Sequence, residues 1–205
     1  MKPPPTHVVF DLGGVLIDWD PRHLYRDLIT DEAEREHFLT EVCGPEWNVQ
    51  QDAGRTIAEA NADAIARHPD KRELIEAYYG RFDSMMKGAI DGTVALLEAL
   101  DARGTPLYAL TNWSAETFHH GERRFAFLER FDGILVSGRE GLRKPDPAIF
   151  HLLCERFSLE PAACLFIDDS ARNVESADGL GFHAHHFRTP QDLRVALVAH
   201  GLLLR

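Results

Sequence analysis

The sequence is short of cysteine and of long apolar runs. Its three cysteines, Cys43, Cys154 and Cys164, stand far apart among 205 residues. Their odd number and wide spacing predict neither a disulfide framework nor a zinc site, which suits the reducing cytoplasm where we expect the protein. No apolar run approaches the ~18 residues of a membrane-spanning helix. The first residues also lack the apolar core of a signal peptide.

Basic residues are scarce as well. The chain has 22 Lys and Arg against 33 Asp and Glu, for a formal net charge of -11. A field of that sign repels nucleic acids and anionic membrane surfaces, so we expect neither as a partner. An anionic substrate then needs a cation close to its binding place. The length suits one full domain with a small insertion. We leave open whether the protein is a monomer or a homodimer.

The most informative stretch follows the first apolar run. Val8, Val9 and Phe10 have the β-branched and aromatic character of a buried strand, and the run ends abruptly at Asp11. Gly13 and Gly14 come next, and glycines let a backbone turn sharply and approach a ligand closely. The pattern therefore predicts a carboxylate at the carboxyl end of a strand, beside N–H groups that can face an anion. A plain strand-to-loop turn has the same composition.

The rest of the chain shows two patterns of predicted secondary structure. Residues from about 21 to 87 read only as helices, whereas helices and strands alternate from residue 91 onward. Such alternation implies βαβ units and a parallel sheet covered on both faces. We therefore predict an α/β fold, a three-layer Rossmann-like parallel-sheet core with a small all-helical cap inserted after the first strand. The predicted core is residues 1–18 and 88–205, and the predicted cap is residues 19–87.

Polar residues collect at the carboxyl ends of the predicted strands, where ligands bind in such sheets. The strand before residue 111 delivers Thr111 and Asn112, and a later strand delivers Asp168 and Asp169. Lys144 lies in a loop just before a helix. Each feature has a plainer interpretation: a turn, helix-capping acids, and a solvated charge. Their joint occurrence at one edge favours an active site.

Four segments, taken in order, resemble the motifs of the haloacid dehalogenase-like hydrolase superfamily. The resemblance covers nearly the whole length and is nearest to small bacterial sugar-phosphate phosphatases, such as those acting on glucose 1-phosphate. The helical insertion matches the small cap of that family. The segments are Phe10-Asp11-Leu12-Gly13-Gly14-Val15-Leu16, Leu110-Thr111-Asn112, Arg143-Lys144-Pro145-Asp146-Pro147, and Phe166-Ile167-Asp168-Asp169-Ser170 with Asn173.

The resemblance implies a role for each matched residue in a Mg²⁺-dependent phosphatase. Asp11 would attack phosphorus and form an aspartyl-phosphate. Thr111 would bond the phosphoryl oxygens, and Lys144 would offset the negative charge that gathers there. The remaining roles fall into two sets. Phosphate and substrate binding is expected of Leu12, Gly13, Thr111, Asn112, Trp113 and Lys144, and Mg²⁺ binding of Asp11, the Gly13 carbonyl, Asp169 and Asp168.

Gly13 departs from the family pattern. Most phosphatases of the family carry a second Asp two residues after the nucleophile, where it protonates the leaving group. Such help is typically worth ~10²–10⁴-fold, and glycine cannot supply it. The substitution favours leaving groups that depart with little protonation, such as anomeric or acyl phosphates. Two alternatives stay open: a 2-haloacid dehalogenase, and a weakly active regulatory module that binds phosphate compounds.

Two further groups of residues have weaker claims to function. His183, His185 and His186 crowd one predicted strand, where they are candidates for binding a metal although no spaced partner set accompanies them. Trp113 directly follows the second motif, so it is a candidate for lining the substrate pocket. Core packing is the alternative for any tryptophan.

Overall fold

The computed structural model describes residues 2–204, and its main sheet is wholly parallel. In spatial order the five strands run β5-β4-β1-β6-β7. Two short strands form a separate antiparallel ribbon. The strands are β1 (His7–Phe10), β2 (Ile17–Trp19), β3 (Met86–Ala89), β4 (Leu107–Thr111), β5 (Gly133–Val136), β6 (Cys164–Asp168) and β7 (His183–His186).

Eleven α-helices accompany these strands within residues 2–204, and five of them lie in the chain between β2 and β3. They are α1 (Arg22–Leu28), α2 (Glu32–His37), α3 (Pro45–Asp52), α4 (Ile57–Arg67), α5 (Arg72–Gly80), α6 (Asp91–Asp101), α7 (Phe118–Arg124), α8 (Ser137–Glu140), α9 (Pro147–Phe157), α10 (Ala171–Gly179) and α11 (Pro190–Ala199).

Helices cover both faces of the main sheet. On one face the buried side chains of α9 and α10, such as Phe150 and Ala177, pack against Val9 and Phe166. On the other face Leu97 of α6 and the apolar side of α11 join the core. The central strands β1 and β6 are mostly apolar because both of their faces are covered. The structure thus confirms the predicted three-layer, Rossmann-like core.

The position of β1 explains why the site forms where it does. Phe10 pairs with Ala109 of β4 on one side and with Ile167 of β6 on the other. The chain runs from β1 to β4 and β5 on one side and then crosses to β6 and β7 on the other, which opens a crevice at the carboxyl ends of the central strands. Asp11 follows β1, Thr111 ends β4 and Asp168 ends β6, so all three lie at this crevice.

The ribbon of β2 and β3 differs from the sequence prediction. Residues 21–87 were expected to be helical throughout, yet β3 begins at Met86, and β2 was not predicted at all. Strands of three and four residues are too short to show the alternation by which a half-buried strand is recognised. The predicted boundaries at residues 18 and 88 both fall inside this ribbon. The division into core and cap stays a prediction.

The inserted helices pack around their own aromatic cluster. The rings of Tyr25 and Phe38 lie 4.9 Å apart, and Trp47 meets Tyr78 edge-on at 5.1 Å. Tyr78 also meets Tyr79 at 5.0 Å, and Tyr79 in turn lies near Phe82. Buried aromatic side chains carry much of the packing energy of such a cluster. Through the rings of Trp47 and Tyr78, the cluster packs α3 against α5.

Candidate active site

Asp11 is held firmly at the end of β1. Its side chain is nearly buried, and its Oδ1 accepts a hydrogen bond of 2.7 Å from the Leu12 backbone N–H. The same oxygen lies 2.9 Å from Nζ of Lys144. Burial, together with the charges of Asp168 and Asp169, raises the pKa of Asp11, and Lys144 opposes that shift. The carboxylate is therefore fixed by one of its oxygens.

Lys144 is the charge centre of the site. Its side chain is fully buried, and its ammonium contacts three oxygens: Oδ1 of Asp11, Oδ2 of Asp168 at 2.7 Å, and the Leu110 carbonyl at 2.8 Å. Burial alone would lower the pKa of Lys144, but the two carboxylates raise it above its ordinary value. A solvated lysine is thus excluded, and the group stays charged in the crevice.

Asn112 holds the lysine loop in place. Its Nδ2 donates to the Lys144 carbonyl at 3.0 Å, and its Oδ1 accepts from the Lys144 N–H at 2.9 Å. Both ends of the side-chain amide are therefore engaged with the backbone of Lys144. The structure brings Asn112 to the crevice, as expected, but gives its side chain a positioning contact. Thr111, at the end of β4, is buried beside it.

Three carboxylates form a cluster that fits a hard cation. Oxygens of Asp11, Asp168 and Asp169 lie within 4.8 Å of one another, and among residues 2–204 no other three acids, histidines or cysteines bring their ligand atoms so close together. Mg²⁺ prefers oxygen ligands of this kind. Burial, and then the charge of Asp168, raise the pKa of Asp169. This crowding of negative charge around one lysine is what a bound cation would relieve.

Asp168 and Asp169 differ in their surroundings. Asp168 is fully buried and accepts hydrogen bonds from the Ser170 N–H at 2.8 Å and from Nδ2 of Asn173 at 3.0 and 3.1 Å. Asp169 is exposed to solvent at the mouth of the crevice. Asp168 thus orients Lys144 and the following helix, whereas Asp169 is accessible to an arriving ion.

The two glycines of the first loop have different reasons to be glycine. Gly14 has a φ of 73°, and a Cβ there would collide with the Asp169 carboxylate. Gly13 has no positive φ, and a Cβ built on it meets no atom within 4 Å. The backbone angle therefore requires glycine at position 14 but not at position 13. Position 13 has room for a side chain that it lacks.

A small cavity of about 80 Å³ connects the first loop with the inserted helices. Its core side is formed by Gly13, Asn112 and Trp113, and its far side includes Asn48 and Asp52 of α3. Trp113 packs on Phe82 and Phe118 and donates from Nε1 to Thr117 at 3.1 Å. Trp113 is therefore both a core residue and a wall of the cavity.

A wider cleft of about 920 Å³ lies alongside it, also reached by Asp52. Lys144 is at the floor of this cleft, and three arginines contribute to its wall: Arg22, Arg143 and Arg172. These cations supply the local positive charge that an anionic substrate of this acidic protein needs. The apolar part of the wall comes from residues such as Leu39 and Val49.

Asp52 lines the cavity beside Gly13 but was not predicted from the sequence. It carries an acidic group at the last residue of α3, where the partial negative charge of a helix end disfavours an anion. This unfavourable placement becomes visible only once the end of α3 is known from the structure. No short motif surrounds the residue, so pattern matching passes over it.

The histidines of β7 have ordinary partners. Nε2 of His183 lies 2.7 Å from the Pro3 carbonyl, His185 pairs with Asp192, and His186 lies 2.9 Å from the Asp169 carbonyl. Burial lowers the pKa of His185. These contacts favour a structural role over a metal site.

Residues 5–181 match the model of a family of hydrolases described as haloacid dehalogenase-like hydrolases, so the chain belongs to that family. It is an enzyme, a hydrolase of the phosphatase type. Among curated proteins it is 28% identical to a sesquiterpene phosphatase of Aspergillus oryzae, over 87% of each chain. It is 30% identical to a phosphoglycolate phosphatase of Nitrosospira multiformis, over 86% of this chain and 80% of that one.

Solved structures of the same family share the fold. A family enzyme of Bacteroides thetaiotaomicron, crystallised in complex with magnesium and inorganic phosphate, superposes with a TM-score of 0.68 at 26% identity. The match covers 90% of this chain and 95% of that one. Within residues 2–204, no helix is both long and apolar enough to cross a membrane.

Proposed function

We propose that the protein is a Mg²⁺-dependent phosphatase that hydrolyses small phosphorylated metabolites, sugar phosphates in particular, through an aspartyl-phosphate. The observation that carries this proposal is the cluster at the carboxyl ends of β1, β4 and β6. It combines a fixed carboxylate, a buried lysine and two further acids. The relative solved with magnesium and phosphate supports the same chemistry.

Asp11 is the nucleophile in this proposal. Its Oδ1 is held by the Leu12 N–H and by Lys144, so we assign Oδ2 to the attack on phosphorus. A new Oδ2–P bond forms, the bond from phosphorus to the ester oxygen breaks, and the alcohol departs. Water then attacks the phosphorus of the aspartyl-phosphate, which releases inorganic phosphate and regenerates Asp11.

Positive charge and hydrogen-bond donors hold the phosphoryl group. Lys144 balances the charge of Asp11, and the backbone N–H groups of Leu12 and Gly13, with the Thr111 hydroxyl, are the donors that we assign to the phosphoryl oxygens. Asp11, Asp169, the Gly13 carbonyl and, directly or through water, Asp168 would hold Mg²⁺. When bound, the ion neutralises charge on the phosphate and on the attacking carboxylate.

Residues 19–87 form, in this proposal, the cap that selects the substrate. The cleft that their helices share with the core is lined by Arg22, Arg143 and Arg172 as well as by apolar residues. Such a wall suits a phosphate ester whose organic group is small and either polar or partly apolar. The relatives are named as a sesquiterpene phosphatase and a phosphoglycolate phosphatase, so the organic groups of their substrates differ widely. This difference is consistent with selection of the substrate by the cap.

An assay with an aryl phosphate, with and without Mg²⁺ and EDTA, tests the proposal. We expect release of phosphate that requires Mg²⁺ and is lost in EDTA. Halide release from a 2-haloacid in EDTA would instead indicate the dehalogenase, whose chemistry needs no metal. Phosphate binding without turnover of any ester would indicate the regulatory module. The pair Asp168 and Asp169 favours the first outcome. Asp168 pairs with Lys144, but a metal-free reaction would give the exposed Asp169 no role.

A further inference from the structure

The site lacks a proton donor where most relatives of the family are expected to carry one. Position 13 is glycine, and the space that a side chain would occupy there holds no atom within 4 Å. The cavity beside Gly13 is closed on its other side by α3 and α5. Asp52 is the one acid on its wall among the described residues.

A chain of hydrogen bonds fixes Asp52 in that position. Nδ2 of Asn48 donates to Oδ2 of Asp52 at 3.2 Å, and the Tyr79 hydroxyl donates to Oδ1 of Asn48 at 2.9 Å. Nε2 of Gln51 donates in turn to the Tyr79 hydroxyl at 3.2 Å. The carboxyl group is therefore oriented by the half-buried Asn48, which the buried Tyr79 and Gln51 hold in place from two helices.

The surroundings of Asp52 keep its carboxyl group protonated in a fraction of the molecules near neutral pH. Burial raises the pKa of Asp52 to about 7, against the opposing charges of Arg143 and Lys144 and a contact with the Ser114 backbone. The other titratable groups that face it are the hydroxyls of Tyr78 and Tyr79, which stay neutral because burial raises their pKa values. A donor with a pKa near the working pH is well matched to general acid catalysis.

We propose that Asp52 is the general acid and base of this enzyme, reaching the leaving group from the cap in place of a residue at position 13. The inference rests on the proposed phosphatase function. As the P–O bond breaks, the departing oxygen keeps the bonding electrons and takes the proton of the Asp52 carboxyl. The Asp52 carboxylate then takes a proton from the water that attacks the aspartyl-phosphate, which restores the acid.

The test is kcat/KM for phosphate esters of graded leaving-group pKa, on the wild type and on Asp52→Asn. We expect the alkyl phosphates to lose ~10²-fold or more in the variant, while 4-nitrophenyl phosphate, whose leaving group needs no proton, changes little. The retained aryl activity also reports that the variant is folded. Asp27→Asn, an exposed aspartate of α1, is the matched control and keeps the wild-type profile.

A pH profile separates proton donation from a merely structural role. With an alkyl phosphate, the wild-type kcat/KM falls as the pH rises through about 7, because Asp52 then loses the proton that it donates. This decline is absent in Asp52→Asn. In the double variant Gly13→Asp/Asp52→Asn, a carboxyl at the open position restores part of the alkyl activity.

The outcomes distinguish this inference from the proposed function. If the wild type hydrolyses no ester, the phosphatase proposal itself fails. If Asp52→Asn lowers the rates for aryl and alkyl esters by the same factor, or leaves the alkyl rates unchanged, the phosphatase proposal stands and the assignment of Asp52 is wrong. An unchanged pH profile in the variant overturns the assignment as well.

Discussion

At the scale of the single residue, Asp11 is the most direct test of the mechanism. We predict that Asp11→Asn loses turnover, because the amide is nearly isosteric but is not a carboxylate nucleophile. The fold should persist: Lys144 keeps Asp168 as a partner, and one charge leaves a cluster of three acids. Steady-state assays and thermal unfolding of both proteins check the two statements. Turnover at the wild-type rate would rule out the covalent mechanism.

Lys144 and its neighbour Arg143 should respond very differently to removal. Lys144→Ala leaves the buried carboxylates of Asp11 and Asp168 without their cation, and breaking such a pair typically costs ~3–5 kcal/mol. Arg143 is only half-buried on the cleft wall, so Arg143→Ala should change the free energy of unfolding by less than ~1 kcal/mol.

Urea unfolding without Mg²⁺ and kcat/KM for an aryl phosphate measure this contrast. We expect Lys144→Ala to lose both stability and nearly all activity, and Arg143→Ala to lose mainly substrate affinity. A larger loss of kcat in Arg143→Ala would mean that the roles assigned to the two cations are reversed.

Single residues also show how far the sequence could predict the site. Asp11, Thr111 and Asp168 were predictable because each directly follows or ends an apolar strand, and parallel strands bring such ends together. The bonds between Asn112 and Lys144 were not, since they join loops 32 residues apart. Asp52 was missed because its position depends on how α3 packs against α4 and α8, which no local pattern encodes.

At the scale of the element, hydrogen bonds at the ends of helices contribute measurably to the free energy of unfolding. The side chain of Thr189 accepts a hydrogen bond of 3.1 Å from the Asp192 N–H at the start of α11, and Pro190 follows as the first helical residue. We predict that Thr189→Ala lowers the free energy of unfolding by ~1 kcal/mol, a usual value for a lost N-cap. Thr189→Ser, which keeps the hydroxyl, is the control.

Urea unfolding of the three proteins checks this prediction. The turnover of folded protein should be equal in all of them, because α11 packs on the face of α6 and not on the crevice. A loss of activity in Thr189→Ala without a loss of stability would show that α11 contributes to turnover as well as to the fold.

Elements also differ in how well the sequence predicts them. The central strands were recognised because burial on both faces makes them nearly continuous apolar runs, as in residues 164–167 before Asp168. The ribbon of β2 and β3 was missed because its strands pair through only a few residues and shift register near Trp19. That ribbon pairs the two chain segments that flank the inserted helices.

At the scale of the whole molecule, the excess of acidic residues means that binding of a cation should stabilise the folded state. The chain carries a formal net charge of -11, and three of its carboxylates meet in one crevice with Lys144 between two of them. A ligand that binds only the folded state stabilises it by about 2.7 kcal/mol at a concentration 100 times its Kd. For a domain of this size, 1 kcal/mol corresponds to roughly 2–4 °C in Tm.

We therefore predict that saturating Mg²⁺ raises the Tm by about 5–10 °C, and that EDTA reverses the rise. Asp169→Ala should need a higher Mg²⁺ concentration for the same rise, because its exposed carboxylate is the one that an arriving ion meets first. Asp27→Ala, remote from the cluster, should follow the wild type. Thermal unfolding against Mg²⁺ concentration measures all three without any assay of activity. An identical half-saturation point for Asp169→Ala and the wild type would remove Asp169 from the ion's ligands, and a Tm insensitive to Mg²⁺ in the wild type would contradict the metal site itself.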